Sequence, residues 1–111
     1  MTTTIDRSDM RTAIVLSDGQ RRATVILPAG IREEVFDDIS LQLPNGLQLD
    51  RTVASLITSL ARANSNRRPI DMTFSENPGT RVFNNLSHLN YKLWLLCGCG
   101  YSVSKVVRVN H

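Results

Sequence analysis

The chain is short of cysteine, of aromatic residues and of long apolar runs, and each shortage removes a class of protein. Its two cysteines, Cys97 and Cys99, are separated by a single residue. Small secreted domains are stapled by several Cys pairs at wider spacings, so this pattern reads as free thiols in a reducing compartment. The opening Met1-Thr-Thr-Thr-Ile5-Asp6 lacks the basic start and apolar stretch of a secretory signal. The longest strongly apolar stretch, Leu93 to Cys97, is far too short to cross a bilayer. A cytoplasmic location without membrane contact is the expectation.

Signatures of assembled chemistry are missing as well. There is neither a P-loop nor a G-x-S-x-G elbow, and Gly98-x-Gly100 follows an expected helix where a phosphate-cradling loop would precede one. Cys97-Gly98-Cys99-Gly100 offers one Cys pair, whereas structural zinc takes four ligands from pairs two to four residues apart. His88 would lie about 13 Å from Cys97 along one helix, out of coordination range, and His111 is the last residue. The simpler reading is a helix C-cap glycine flanked by two small thiols. Ser87-His88 are neighbours on a helix and point about 100° apart, with no third group to orient them. We expect no metal, no cofactor and no catalytic residues.

What is present is a complete set of structural elements. At 111 residues, 41% apolar and 21% charged, the chain has the composition of one ordinary globular domain. Residues 1–10 read as a flexible tail and 11–111 as a single α+β domain. Two β-rich runs, 11–16 and 21–27, flank Asp18-Gly19, the clearest hairpin signal in the chain. A short helix over 31–38 and a small hairpin around Asn45-Gly46 are expected next. Asp50 then suits the N-cap of a helix over 51–64, whose Val53, Leu56, Ile57, Leu60 and Ala61 form one apolar stripe and whose Arg51, Ser55, Thr58 and Arg62 line another face.

Ile70, Met72 and Phe74 alternate as the inward residues of a strand. Asn77-Pro78 reads as the cap and first residue of a second long helix, with Val82, Leu86, Leu89, Leu93 and Leu96 as its core stripe, Phe83 and Trp94 widening it, and Gly98 ending it. Residues 101–109 close the fold as a strand. The expected architecture is a two-layer α+β sandwich, a mainly antiparallel or mixed sheet with two long helices on one face.

Charge is polarised along the chain, although the net charge is only +3. Residues 31–50 carry a net −4 and residues 51–70 a net +4, and eleven of the thirteen basic residues are Arg, whose planar fork suits bidentate contacts to phosphate or carboxylate. The candidate binding residues are Arg51, Arg62, Arg67, Arg68, Arg21 and Arg22, with Lys105 and Arg108 as further basic positions. Glu33, Glu34, Asp37 and Asp38 form a secondary acidic face; carboxylates at i, i+4 can hold Mg²⁺ or serve acid/base chemistry, but an exposed acidic surface is the commoner outcome.

These features point to a non-enzymatic regulatory or inhibitory protein that binds a protein or nucleoprotein partner through a charged face. In size and lack of motifs the chain resembles, in general style, the small accessory proteins of mobile elements. The alternative is a direct DNA- or RNA-binding module using the clustered arginines. No helix-turn-helix, zinc finger or aromatic RNA-binding strand accompanies them, with only six aromatic residues available. A small enzyme built on the acidic cluster is the third reading.

Overall fold

A computed structural model describes residues 10–31 and 49–110, with side chains over 53–109 in the second span. The expected helix over 31–38 beyond its first residue, the small hairpin after it, the acidic positions Glu33, Glu34, Asp37 and Asp38 and residues 1–9 of the expected tail fall outside the described residues. Within them the order is β1 (Met10–Ser17), β2 (Arg22–Ala29), α1 (Leu49–Ala63), β3 (Ile70–Phe74), β4 (Thr80–Phe83), α2 (Leu86–Gly98) and β5 (Ser102–Asn110). The five strands form one sheet in the order β4-β3-β2-β1-β5. Every pairing is antiparallel.

The Asp18-Gly19 hairpin forms as the sequence indicates, with Ser17 opposite Arg22. Short local chemistry holds it. The Asp18 carboxylate accepts the backbone N–H of Gln20 and of Arg21, and the Ser17 hydroxyl oxygen accepts that of Gly19. Between Arg11 and Ala13 the register shifts, because Leu27 and Pro28 together face the single Thr12. Proline has no N–H to give the ladder, and a bulge is where a strand tolerates that.

Ile14 and Leu16 pair with Val25 and Ala23, and Val25 pairs with Met72, so cross-strand partners place these residues on one face. They share a single core with Val53, Leu56 and Leu60 of α1 and with Leu89, Leu93 and Leu96 of α2. Ala13, Val15 and Ile26 on the other face are buried too, which is why β1 and β2 read as nearly unbroken apolar runs instead of alternating ones.

Several expectations need correction. Thr80 to Phe83 is a strand paired with β3, not the first turns of a helix. Val82 stands four residues before Leu86 and so mimics a helical stripe, yet it faces outward at 52% exposure. The chain turns at Gly79, whose φ of 115° belongs to a turn glycine and has no place in a helix. The true N-cap of α2 is Asn85, in extended conformation, with its Oδ1 accepting the Ser87 N–H at 2.8 Å. At the other terminus, Gly98 is the last helical residue and Gly100 takes the left-handed φ of 99°. Gly100 N–H donates to the Cys97 carbonyl and Tyr101 N–H to that of Leu96, the pair of bonds that defines a Schellman end. Buried Tyr101 and Leu96 flank the motif. Helix α1 starts at Leu49, so Asp50 lies in its first turn instead of capping it, and Leu49 belongs to no hairpin strand. Trp94 sits on the outer side of α2, 37% exposed.

Candidate binding cleft

Where α1 ends, the backbone is held by one side chain. Asn64 is buried; its Nδ2 donates to the Arg68 carbonyl at 2.7 Å, and its Oδ1 accepts the Arg68 N–H at 3.2 Å. Arg67 N–H donates to the Asn64 carbonyl at 2.9 Å. This tight return places Arg67 at φ 53°, the left-handed region in which a side chain with a Cβ is disfavoured.

The loop forms one wall of a cleft of about 600 Å³; the β4–α2 junction forms the other. Buried Leu60, Ile70, Phe83 and Leu89 floor it with half-buried Leu86, while exposed Ser65, Arg67, Arg68, Asn84, Asn85 and Ser87 make its rim. Among the described residues its two charged lining residues are both arginines. An apolar floor with a few convergent polar groups is the usual composition of a binding site.

The structure divides the expected arginine set. Arg67 and Arg68 are at the cleft, and exposed Arg62 occupies the last turn of α1, where a cation complements the helix dipole. Arg51 lies in α1 with its side chain outside the described residues. Arg21 and Arg22 are at the far end of β2. Ala29, whose carbonyl accepts from Arg68 Nη2 at 2.8 Å, is seven residues from Arg22, roughly 23 Å along the strand. Arg21 and Arg22 are thus separated from the Arg68 contact by most of the length of β2.

Several basic residues are also committed to the fold. Arg68 bridges to β2 through that carbonyl, whereas Arg67 is exposed with no side-chain hydrogen bond to the described residues. Arg108 Nη1 donates to the Ile31 carbonyl at 2.6 Å and to the Thr12 hydroxyl at 3.0 Å, while that hydroxyl donates to the same carbonyl at 2.7 Å. Arg11, which the sequence marks only as a strand residue, reaches across β2: Nε to the Leu27 carbonyl at 2.6 Å, Nη2 to that of Ile26 at 3.3 Å, and Nη1 to Asp71 on β3 at 2.9 Å. Lys105 remains exposed. Cys97 is half-buried and Cys99 exposed; burial pushes the Cys97 thiol up, which lowers its thiolate fraction.

At the distal end Arg21 Nε donates to Asp18 at 3.0 Å, and its guanidinium lies 5.8 Å from the centre of the Tyr101 ring. The Arg21 backbone N–H, then that of Gln20, hold the Asp18 carboxyl at about 2, below its ordinary 3.8. The folded value is the depressed one, so the stabilisation is present above about pH 4 and disappears as pH falls through about 2. We expect the Asp18 carboxyl resonance to titrate near 2, and Asp18→Asn to flatten the stability profile over that window. A midpoint near 4 would show that the turn does not hold the carboxylate.

Asn84, Asn85 and Phe83 are not among the candidate site residues, and Ser87 enters only as a nucleophile without an orienting group. The signal that locates them is Asn84-Asn85 immediately before the Leu86, Leu89, Leu93 and Leu96 periodicity, an N-cap pattern that competes with Asn77-Pro78. No helix among the described residues is long and apolar enough to cross a membrane. No protein-family model, curated protein or solved structure matches the chain.

Proposed function

We propose that this chain is a non-enzymatic regulatory or inhibitory module that docks a protein or nucleoprotein partner at the cleft between the end of α1 and the start of α2. The observation that carries this reading is Arg67. An exposed arginine at φ 53° costs about 1 kcal/mol or more against a residue suited to that backbone. It stands on the rim of an apolar-floored cleft that, among the described residues, is lined by no carboxylate. A cation held at such a position is a side chain used outside its own fold. Apolar groups of the partner fill the floor and an anionic group meets Arg67, with Arg62 extending the positive field along α1. The reading takes both helices as packed on one sheet face, a two-layer sandwich, and places the protein in the cytoplasm with its thiols free.

Arg67→Asn separates binding from folding, because asparagine tolerates left-handed φ and carries no charge. We expect its stability to hold or rise by up to about 1 kcal/mol. Affinity for the partner complex, recovered from host cells on the tagged wild-type chain, should fall at least tenfold, about 1.4 kcal/mol. Equal affinity of variant and wild type would remove the cleft from the reading. Arg62, Arg67 and Arg68 at one end of the molecule also keep direct nucleic-acid binding as the second reading. A gel shift of labelled DNA or RNA with steep salt dependence, lost in the same variant, would favour it.

A further inference from the structure

The sheet face that bears Ala13, Val15 and Ile26 holds a shallow basin of about 310 Å³. It lies on the side away from Ile14, Leu16 and Val25, the strand residues that share a core with α1 and α2. Strand pairing builds it. Lys105, Val15, Thr24 and Thr73 are successive cross-strand partners on β5, β1, β2 and β3, so their side chains stand in one row across the sheet. Arg22 follows on the same side of β2, two residues from Thr24. Ser75 is fixed beside it: the Ser75 N–H donates to the Arg22 carbonyl, and the Ser75 hydroxyl oxygen accepts the Arg22 N–H, both at 2.9 Å. Val107 and Val109 border the basin on β5. Arg22 and Lys105 are exposed, and among the described residues the ion pairs go to Arg11 and Arg21 and to neither of these two. Asp71 is held by Arg11 at 2.9 Å, Asp18 by Arg21 at 3.0 Å, and Glu76 lies 4.0 Å from Arg21.

We infer that this basin binds a small phosphate monoester, its phosphate between Arg22 and Lys105 and its organic body on the valines. Charge complementarity sets the sign of the ligand. Strand spacing puts the two Cα atoms about 12 Å apart, so that both extended side chains converge on one group above Val15 and Thr24. Donor number selects phosphate over carboxylate. The lining offers a guanidinium fork, an ammonium and the hydroxyls of Thr24, Thr73 and Ser75, more donors than the two oxygens of a carboxylate occupy. A phosphate monoester brings three acceptor oxygens and a charge of about −1.5 to −2. The Ser75 oxygen already accepts the Arg22 N–H, which leaves its own proton to donate. Size and composition select a small molecule over a polynucleotide. The volume is at the lower end of small-ligand sites, and a nucleic-acid strand is met by a longer track of cations with rings for its bases to stack on. Here the one aromatic lining residue, Phe74, packs against the core of the opposite face. Val15, Val107 and Val109 are left as the apolar contact. This site shares no residue with the Arg67 cleft, and either can fail without the other.

The test titrates the full chain, labelled with ¹⁵N, with phenyl phosphate at about 150 mM salt, where weak exposed charge pairs are screened. Saturable shifts are expected at the amides of Val15, Thr24, Thr73, Lys105 and Val107. Arg22→Gln and Lys105→Gln should each bind at least tenfold more weakly, with unfolding midpoints at the wild-type value because neither side chain pairs with the described fold. Benzoate, which keeps the ring and replaces phosphate by a planar carboxylate, should also bind at least tenfold more weakly. Arg67→Asn should bind phenyl phosphate as the wild type does. Absence of saturable shifts up to about 10 mM, beyond millimolar dissociation constants, would overturn the inference. Shifts confined to residues 60–68 and 83–89 would overturn it too, moving the anion to the cleft. Benzoate binding as tightly as phenyl phosphate would remove the selection for phosphate. An unphosphorylated oligonucleotide that displaces phenyl phosphate at lower concentration than phenyl phosphate itself requires would replace the small ligand by a nucleic-acid backbone.

Discussion

Leu93→Ala is expected to destabilise the protein by about 2–5 kcal/mol, the range for truncating a fully buried leucine whose surroundings only partly collapse into the space. Leu93 is 0% exposed and belongs to the core that joins the sheet to both helices. For a domain near this size the loss corresponds to a fall of roughly 10 °C or more in unfolding midpoint. Leu56→Ala in α1, also at 0%, should behave alike. The informative comparison is Leu95→Ala, two residues further along α2, where 46% exposure leaves much less to lose and the expected cost is under about 1 kcal/mol. Chemical denaturation of the Leu93 and Leu95 variants reads the phase of α2 directly. Equal losses at 93 and 95 would mean that the helix is rotated from the orientation described.

The second large effect is expected at Arg11, which joins three strands through one guanidinium. Arg11→Met keeps most of the aliphatic stem but removes three donated hydrogen bonds, leaving Asp71 without its cation and the Leu27 and Ile26 carbonyls without those donors. Removing one partner of a fully buried ion pair costs about 3–5 kcal/mol. Arg11 and Asp71 side chains retain 20% and 23% exposure, so water screens part of that and about 1.5–3 kcal/mol is the expected loss. Adding Asp71→Leu to Arg11→Met should recover some of it, since the stranded carboxylate is then gone. A double variant no more stable than Arg11→Met would show that the carbonyl bonds, not the ion pair, carry the effect. The bulge at Leu27–Pro28 makes this site unusual: the ladder is interrupted there, and the arginine supplies donors where the strand cannot.

Parts of the candidate site were legible because their determinants are local. Arg67 and Arg68 stand between the periodic residues of α1 and Pro69, and a basic loop following a helix is readable from those neighbours alone. Which of the two is free was not readable. Arg68 is tied to Ala29, 39 residues earlier, and nothing near position 68 announces that contact. The same holds for Arg108, engaged with Thr12 and Ile31 at separations of 96 and 77 residues. Counting arginines along the chain says nothing of such distances: Arg21 and Arg22 lie at the other end of β2 from the contact between Arg68 and Ala29.

The amino-acid sequence by itself determined the elements whose signals lie within a few residues of one another. The Asp18-Gly19 hairpin closes on its own side chains, α1 buries Val53, Leu56 and Leu60 at helical spacing, and β3 alternates Ile70, Met72 and Phe74. Tertiary structure decided the rest. Thr80 to Phe83 is too short to hold a conformation by propensity, and becomes a strand because β3 offers an open edge to pair with. On α2 the spacing of Leu89, Leu93 and Leu96 marks the buried side, and all three are buried. The width of that side was not legible: Trp94, expected to widen the stripe, stays outside with Tyr91 and Leu95, because coverage of a flanking side chain depends on what packs beside the helix and not on its spacing along it.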